Sequence, residues 1–126
     1  MPLTHAVIQI DHQKAQVLQF DAEKVRGHEV KSHAHYTRQH HSGVRTEHEY
    51  FKEVCDALEG IAEVLVTGPH TALADFKHYV DKHRTAMAPH LMGWEPKDHP
   101  TEGQLVAFAR QFFHDLDARL AGMGRG

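Results

Sequence analysis

The opening segment commits this chain to a β-sheet. From His5 to Asp11 apolar and polar residues alternate over a Val/Ile-rich run (Ala6, Val7, Ile8, Gln9, Ile10). Asp11-His12-Gln13-Lys14 then reads as a turn, and the pattern resumes with Val17, Leu18 and Phe20. Period-two alternation on both sides of a short polar break predicts a β-hairpin. Gly27 to His33 reads as a third strand with one good apolar position, Val30. So polar a strand suits a sheet edge, where Lys and His discourage pairing with other chains.

Downstream the spacing becomes helical. Thr46-x-x-Glu49 has the form of a capping box, which predicts a helix start there. Phe51, Val54, Cys55 and Leu58 follow at i, i+3, i+4, i+7, which is one buried face. Gly60 is placed to end that helix. Ala62 to Thr67 reads as a short strand, and Gly68-Pro69 as the turn into a second helix capped by Thr71, with Leu73, Phe76 and Val80 inward and Tyr79 at the margin. A strand is expected around Leu91, Met92 and Trp94. A second capping box, Thr101 to Gln104, opens a last helix carrying Leu105, Phe108, Ala109, Phe112, Leu116 and Leu120. The tail from Gly122 is expected to fray.

The order is therefore βββαβαβα. Three strands on short links form an antiparallel meander, and strands separated by a helix pair in parallel through right-handed crossovers. The expected fold is α/β and ribonuclease H-like, a mixed five-stranded sheet flanked by helices, in one domain over residues 1–126.

At 126 residues the chain needs neither a disulfide nor a structural metal to fold. Its single Cys55 cannot bridge internally and falls on an apolar helix face, which suits inert core. No secretory leader is legible, so a reducing cytoplasmic location is expected. No apolar run approaches the roughly 18 residues of a membrane span. The abnormal number is 14 histidines in a chain of formal net charge −3. Histidine changes charge near neutrality, so the surface field is expected to depend strongly on pH.

Those histidines concentrate between Lys31 and Arg45, where strands give way to helices. This segment holds three fixed cations (Lys31, Arg38, Arg45), four histidines (His33, His35, His40, His41) and no acid. Arginine forks onto phosphate, imidazolium adds charge as pH falls, and Tyr36 is suited to stacking on an unpaired base. The candidate RNA-binding set is Lys31, Tyr36, Arg38, His40, His41, Gly43 and Arg45. A solvated loop kept polar for solubility is the plain alternative. A second candidate is a metal site, zinc among the ions imidazole suits, on His33, His35, His40 and His41. A third reading is a homo-oligomeric scaffold with no ligand.

Three stretches carry a family resemblance: Ile10-Asp11-His12 through Val17, Val64 to Pro69 followed by Asp75-Phe76-Lys77, and Asp98 to Gln104. They resemble a family of short bacterial proteins labelled translational machinery proteins. The layout is also similar to the middle domain of eukaryotic-type class I release factors and of Pelota-type ribosome rescue factors. That resemblance implies a ribosome or structured RNA as partner. In release factors the loop before the first helix carries Gly-Gly-Gln. Here the place reads His40-His41-Ser42-Gly43-Val44-Arg45, and Gln39 lacks the glycine context, so peptide release is not carried over. Pelota-type factors also lack the motif and keep a basic loop there. A chain of this length has no room for those factors' flanking domains.

Other chemistry reads more weakly. Ribonuclease H-like nucleases hold two metals on carboxylates of the first strand, first helix and fourth strand. Asp11, Glu47 and Glu49 stand near the first two places, but the fourth strand ends Val66-Thr67-Gly68-Pro69 with no acid, and Asp11 suits a turn. Gly68-Pro69-His70-Thr71 lacks the Lys and Ser/Thr of a P-loop, and Asp98-His99 has no nucleophile at a recognisable spacing. The expectation is a non-enzymatic, cytoplasmic, ribosome- or RNA-associated translation accessory protein without a required cofactor, whose RNA binding tightens on acidification.

Overall fold

The computed structural model describes residues 4–32, 43–98 and 100–124. Strands β1 (His5–Ile10), β2 (Lys14–Phe20) and β3 (Val25–Lys31) lead into helix α1 (Gly43–Leu58). Strand β4 (Glu63–Gly68), helix α2 (His70–His83), a 3₁₀ turn at Ala88–His90, strand β5 (Leu91–Pro96) and helix α3 (Glu102–Gly124) follow. The sheet order is β3-β2-β1-β4-β5. Pairing is antiparallel from β3 to β1 and parallel from β1 through β4 to β5. This is the ribonuclease H-like arrangement expected from the element order, with β3 at the predicted polar edge.

The central strands β1, β2 and β4 are buried on both faces because they are apolar on both. Ala6, Ile8, Ile10, Val17, Val64 and Val66 pack under α1 and α2, where Phe51 and Phe76 meet edge to face at 5.3 Å. Val7, Leu18, Phe20 and Leu65 face α3 through Leu105, Val106, Ala109 and Phe113. Cys55 is fully buried in the first layer, and burial pushes its thiol up to about 12. It is core and not a nucleophile, as its place on the helix face implied.

Several boundaries differ from the sequence expectation. Strand β3 starts at Val25, because Asp21–Lys24 closes as tightly as Asp11–Lys14 and leaves no spacer before the strand. Helix α1 begins at Gly43, which puts Thr46 inside it and not at its cap. Val44 and Arg45 accept helical geometry, so the helix runs upstream to the glycine. Thr71 is likewise inside α2, whose N-cap is Pro69 with no side-chain cap bond. The Thr101–Gln104 box forms as read: Gln104 N donates to Thr101 Oγ1 (3.1 Å) and Thr101 N to Gln104 Oε1 (3.0 Å). Helix α3 continues through Gly124, past the Gly122 at which the tail was expected to begin. At about 34 Å it outruns strands of about 20 Å, so Leu120 is half exposed and the inward face uses Val106 and Phe113. Among the described residues no helix is long and apolar enough to cross a membrane.

Candidate functional site

Register gathers the connections that matter at one edge of the sheet. Ile10, Gly68 and Pro96 end the parallel strands there, and Lys14 pairs with Lys31 beside them. All three helices start from this carboxyl edge, where open α/β sheets bind their ligands. Gly68 adopts φ +150°, and a Cβ on it would run into the carbonyl oxygen of Ile10. The close approach of β1 and β4 at this edge therefore requires glycine. Across it, Gln9 Nε2 donates to the carbonyl of Lys97 (3.4 Å), and the buried Thr67 hydroxyl lies 2.7 Å from the carbonyl of Ile8.

The basic segment is rooted here at both ends. Lys31 is exposed, with Nζ 3.5 Å from Glu29 of the same strand. Ser32 N then donates to the carbonyl of Gln13 (2.7 Å), which ties the exit of β3 to the β1–β2 turn. At the other end Gly43 and Arg45 lie in the first turn of α1, which contains no acid. They are helix residues and not loop residues as the sequence suggested, which places them at the positive end of the helix dipole. Tyr36, Arg38 and the candidate metal ligands His33, His35, His40 and His41 lie outside the described residues, as does His99. A groove between β3 and α1 is lined by Lys31 and His28 together with Glu29, Glu53 and Asp56.

Asp11 is a turn residue. Its Oδ1 accepts from the amides of Gln13 (2.7 Å) and Lys14 (2.8 Å). The buried Tyr50 hydroxyl donates to its carbonyl (2.9 Å), and burial, then the Asp11 charge, push that phenol's pKa up. The residue that faces the helices is the next one. His12 Nε2 donates to Asp75 Oδ2 of α2 (2.8 Å), and one ligand atom each of His12, Glu47 and Asp75 lie within 4.8 Å of one another. A cleft of about 90 Å³ opens beside them, lined by Glu47 and Asp75 together with His48, His78, Lys82 and His83. The His48 and His83 rings meet at 5.1 Å.

Sequence reasoning named Glu47 as a weak nuclease carboxylate and passed over His12 and Asp75. The signal for them was positional. One lies in the turn after β1 and the other sits early in the helix after β4, so both lie at the carboxyl edge.

Three solved structures share this fold. One is the Pelota protein of Thermoplasma acidophilum, with TM-score 0.62 and 17% identity over 85% of this chain. Another is the Pelota protein of Archaeoglobus fulgidus, with TM-score 0.64 and 19% identity over 96% of this chain. The third is an archaeal translation termination factor, aRF1, with TM-score 0.50 and 19% identity over 97% of this chain. The chain spans only 32%, 36% and 42% of those three proteins. At these identities the likeness is one of fold. No protein-family model and no curated protein matches the sequence.

Proposed function

We propose that this chain is a translation accessory protein that binds ribosomal or other structured RNA through the segment joining β3 to α1, and that it catalyses no reaction. The observation that carries this reading is the placement of an acid-free run of cations. Lys31 leaves the sheet at the carboxyl edge and Arg45 enters an acid-free first helical turn at the same edge. A helix N-terminus offers free amides and positive potential to phosphate, and the fixed cations of the segment add to it. A net charge of −3 over the whole chain keeps the contact local to this segment. The fold neighbours, a translation termination factor and Pelota proteins, support the choice of a translation role over other anionic partners.

The mechanism is occupancy. Lys31, Arg38 and Arg45 neutralise phosphates, His40 and His41 add charge as they protonate, and Tyr36 stacks on an unpaired base. The test is co-sedimentation of untagged protein with purified ribosomes at low and moderate salt, beside an Arg38→Ala/Arg45→Ala variant. Binding that falls with salt and is lost in the variant is the expected result. Three phosphate contacts on single-stranded RNA give a log–log salt slope of about −2. Binding at pH 6 is expected to exceed that at pH 7.5. Absence of binding at low salt overturns the proposal and leaves the likeness as one of fold.

A further inference from the structure

We propose that His12, Glu47 and Asp75 form a binding site for a divalent first-row cation of zinc type. The proposal goes beyond RNA binding and does not depend on it. The three side chains come from the β1–β2 turn, the second turn of α1 and the first half of α2. Residues so distant in sequence converge because the β2–β3 and β1–β4 pairings set the starts of α1 and α2 beside the turn.

The donor set is chemically mixed, one imidazole nitrogen and two carboxylates. Such N/O sites suit zinc and its neighbours more than magnesium or calcium, which prefer oxygen alone. Two ligands on a tetrahedral zinc lie about 3.3 Å apart, given metal–ligand distances near 2.0–2.2 Å. His12 Nε2 and Asp75 Oδ2, at 2.8 Å, already fall close to that spacing. Glu47 closes the set with its ligand atom no more than 4.8 Å from theirs, within reach of a side-chain rotation. On binding, the imidazole leaves Nε2 free for the metal and carries its proton on Nδ1.

An ordinary surface ion pair explains His12 and Asp75 by themselves. It does not explain the second carboxylate. Glu47 and Asp75 approach each other as like charges, and a divalent cation relieves that repulsion more fully than one imidazolium. His12 and Asp75 are exposed and Glu47 half-buried, so exchangeable ions have access and water completes the coordination. The bound ion would join the β1–β2 turn, α1 and α2 at one point.

Because the chain carries 14 histidines, bulk zinc uptake is uninformative and the test is made by site. Untagged protein is stripped with chelator and titrated with zinc chloride by calorimetry, beside a Glu47→Gln/Asp75→Asn variant. Both changes keep side-chain shape at the surface, and a metal-free melt verifies folding. The expected result is one tight equivalent in the wild type, weakened about 100-fold or more in the variant, since even outer-shell changes cost 10–100-fold. The wild-type melting temperature rises with zinc and the variant's does not. In parallel, Mn²⁺ added to the ¹⁵N-labelled wild type broadens the amides of His12, Glu47 and Asp75 first. Equal zinc stoichiometry and affinity in the variant, or broadening that begins elsewhere, overturns the site.

Discussion

The two hairpin turns of the sheet are built alike and surrounded differently. In each, an aspartate Oδ1 accepts from the amides two and three residues on: Asp11 from Gln13 and Lys14, Asp21 from Glu23 and Lys24. In each, the aspartate amide donates back to the carbonyl of the lysine (2.9 and 3.0 Å). The first turn lies at the carboxyl edge, where His12 meets Asp75 and Tyr50 holds the carbonyl of Asp11. The second lies at the amino edge, where Ala22 makes no such contact and Arg110 Nη2 holds the carbonyl of Asp21 (3.0 Å). Turn chemistry is thus local and repeats. A site arises only where helix starts bring side chains to one of the copies.

The largest break in the comparison comes from glycine. Gly68→Ala drives a Cβ into the Ile10 carbonyl at the root of the first turn and adds strain at a positive φ. A loss of about 3 kcal/mol is expected from urea denaturation. Gly27→Ala, in the strand leaving the second turn, meets Leu18 Cδ2 at 3.4 Å and Glu102 Oε1 at 3.7 Å, both ends of flexible side chains. It is expected to be neutral or stabilising by up to about 0.5–1 kcal/mol. Similar losses in the two variants would mean that the carboxyl edge is no more constrained than the other end.

Next is Tyr50→Phe, which removes the bond to the Asp11 carbonyl without opening a cavity. Burial raises the phenol's pKa, so Tyr50 stays a donor at every working pH, and the cost is about 1 kcal/mol with little pH dependence. A cost near zero would mean that water replaces the hydroxyl and that the first turn is as independent of α1 as the second is.

A smaller effect separates the turns by pH. The amides of Lys24 and then Glu23 hold the Asp21 carboxyl below the usual carboxylate range. A depressed folded pKa stabilises above the unfolded value of about 3.9 and is lost as pH falls through the folded value. Asp21→Asn should therefore be less stable than the wild type at pH 7, with the gap closing towards pH 3. Urea midpoints at the two pH values measure it, and a gap that widens in acid contradicts the assignment.

What was legible in the chain follows the same division. The hairpin, the inward faces of α1 and α2, the polar edge strand and the Thr101 cap all rest on interactions within a few residues, and each appears in the pattern. The start of α1 was misplaced because Thr46-x-x-Glu49 satisfies a cap motif and a helix interior equally well. β3 starts two residues before the expected Gly27, because the Asp21–Lys24 turn closes tightly and leaves no spacer before it. The places of His12 and Asp75 near strand ends were legible, but their meeting was not. They stand 63 positions apart, and only the β1–β4 register brings them together.

The smallest expected effect is the one that tests the division most closely. His12→Ala turns the first hairpin loop into Asp-Ala-Gln-Lys, nearly the Asp-Ala-Glu-Lys of the second. The aspartate and the backbone that build the turn are untouched. The His12–Asp75 pair is about half exposed on both sides, so screening leaves it little to contribute. Stability without metal is expected to stay within about 0.5 kcal/mol of the wild type, while the zinc-dependent rise in melting temperature disappears. A metal-free loss above about 1.5 kcal/mol would show that His12 is a structural tie between turn and helix. The two turns would then differ in how they fold as well as in what they face.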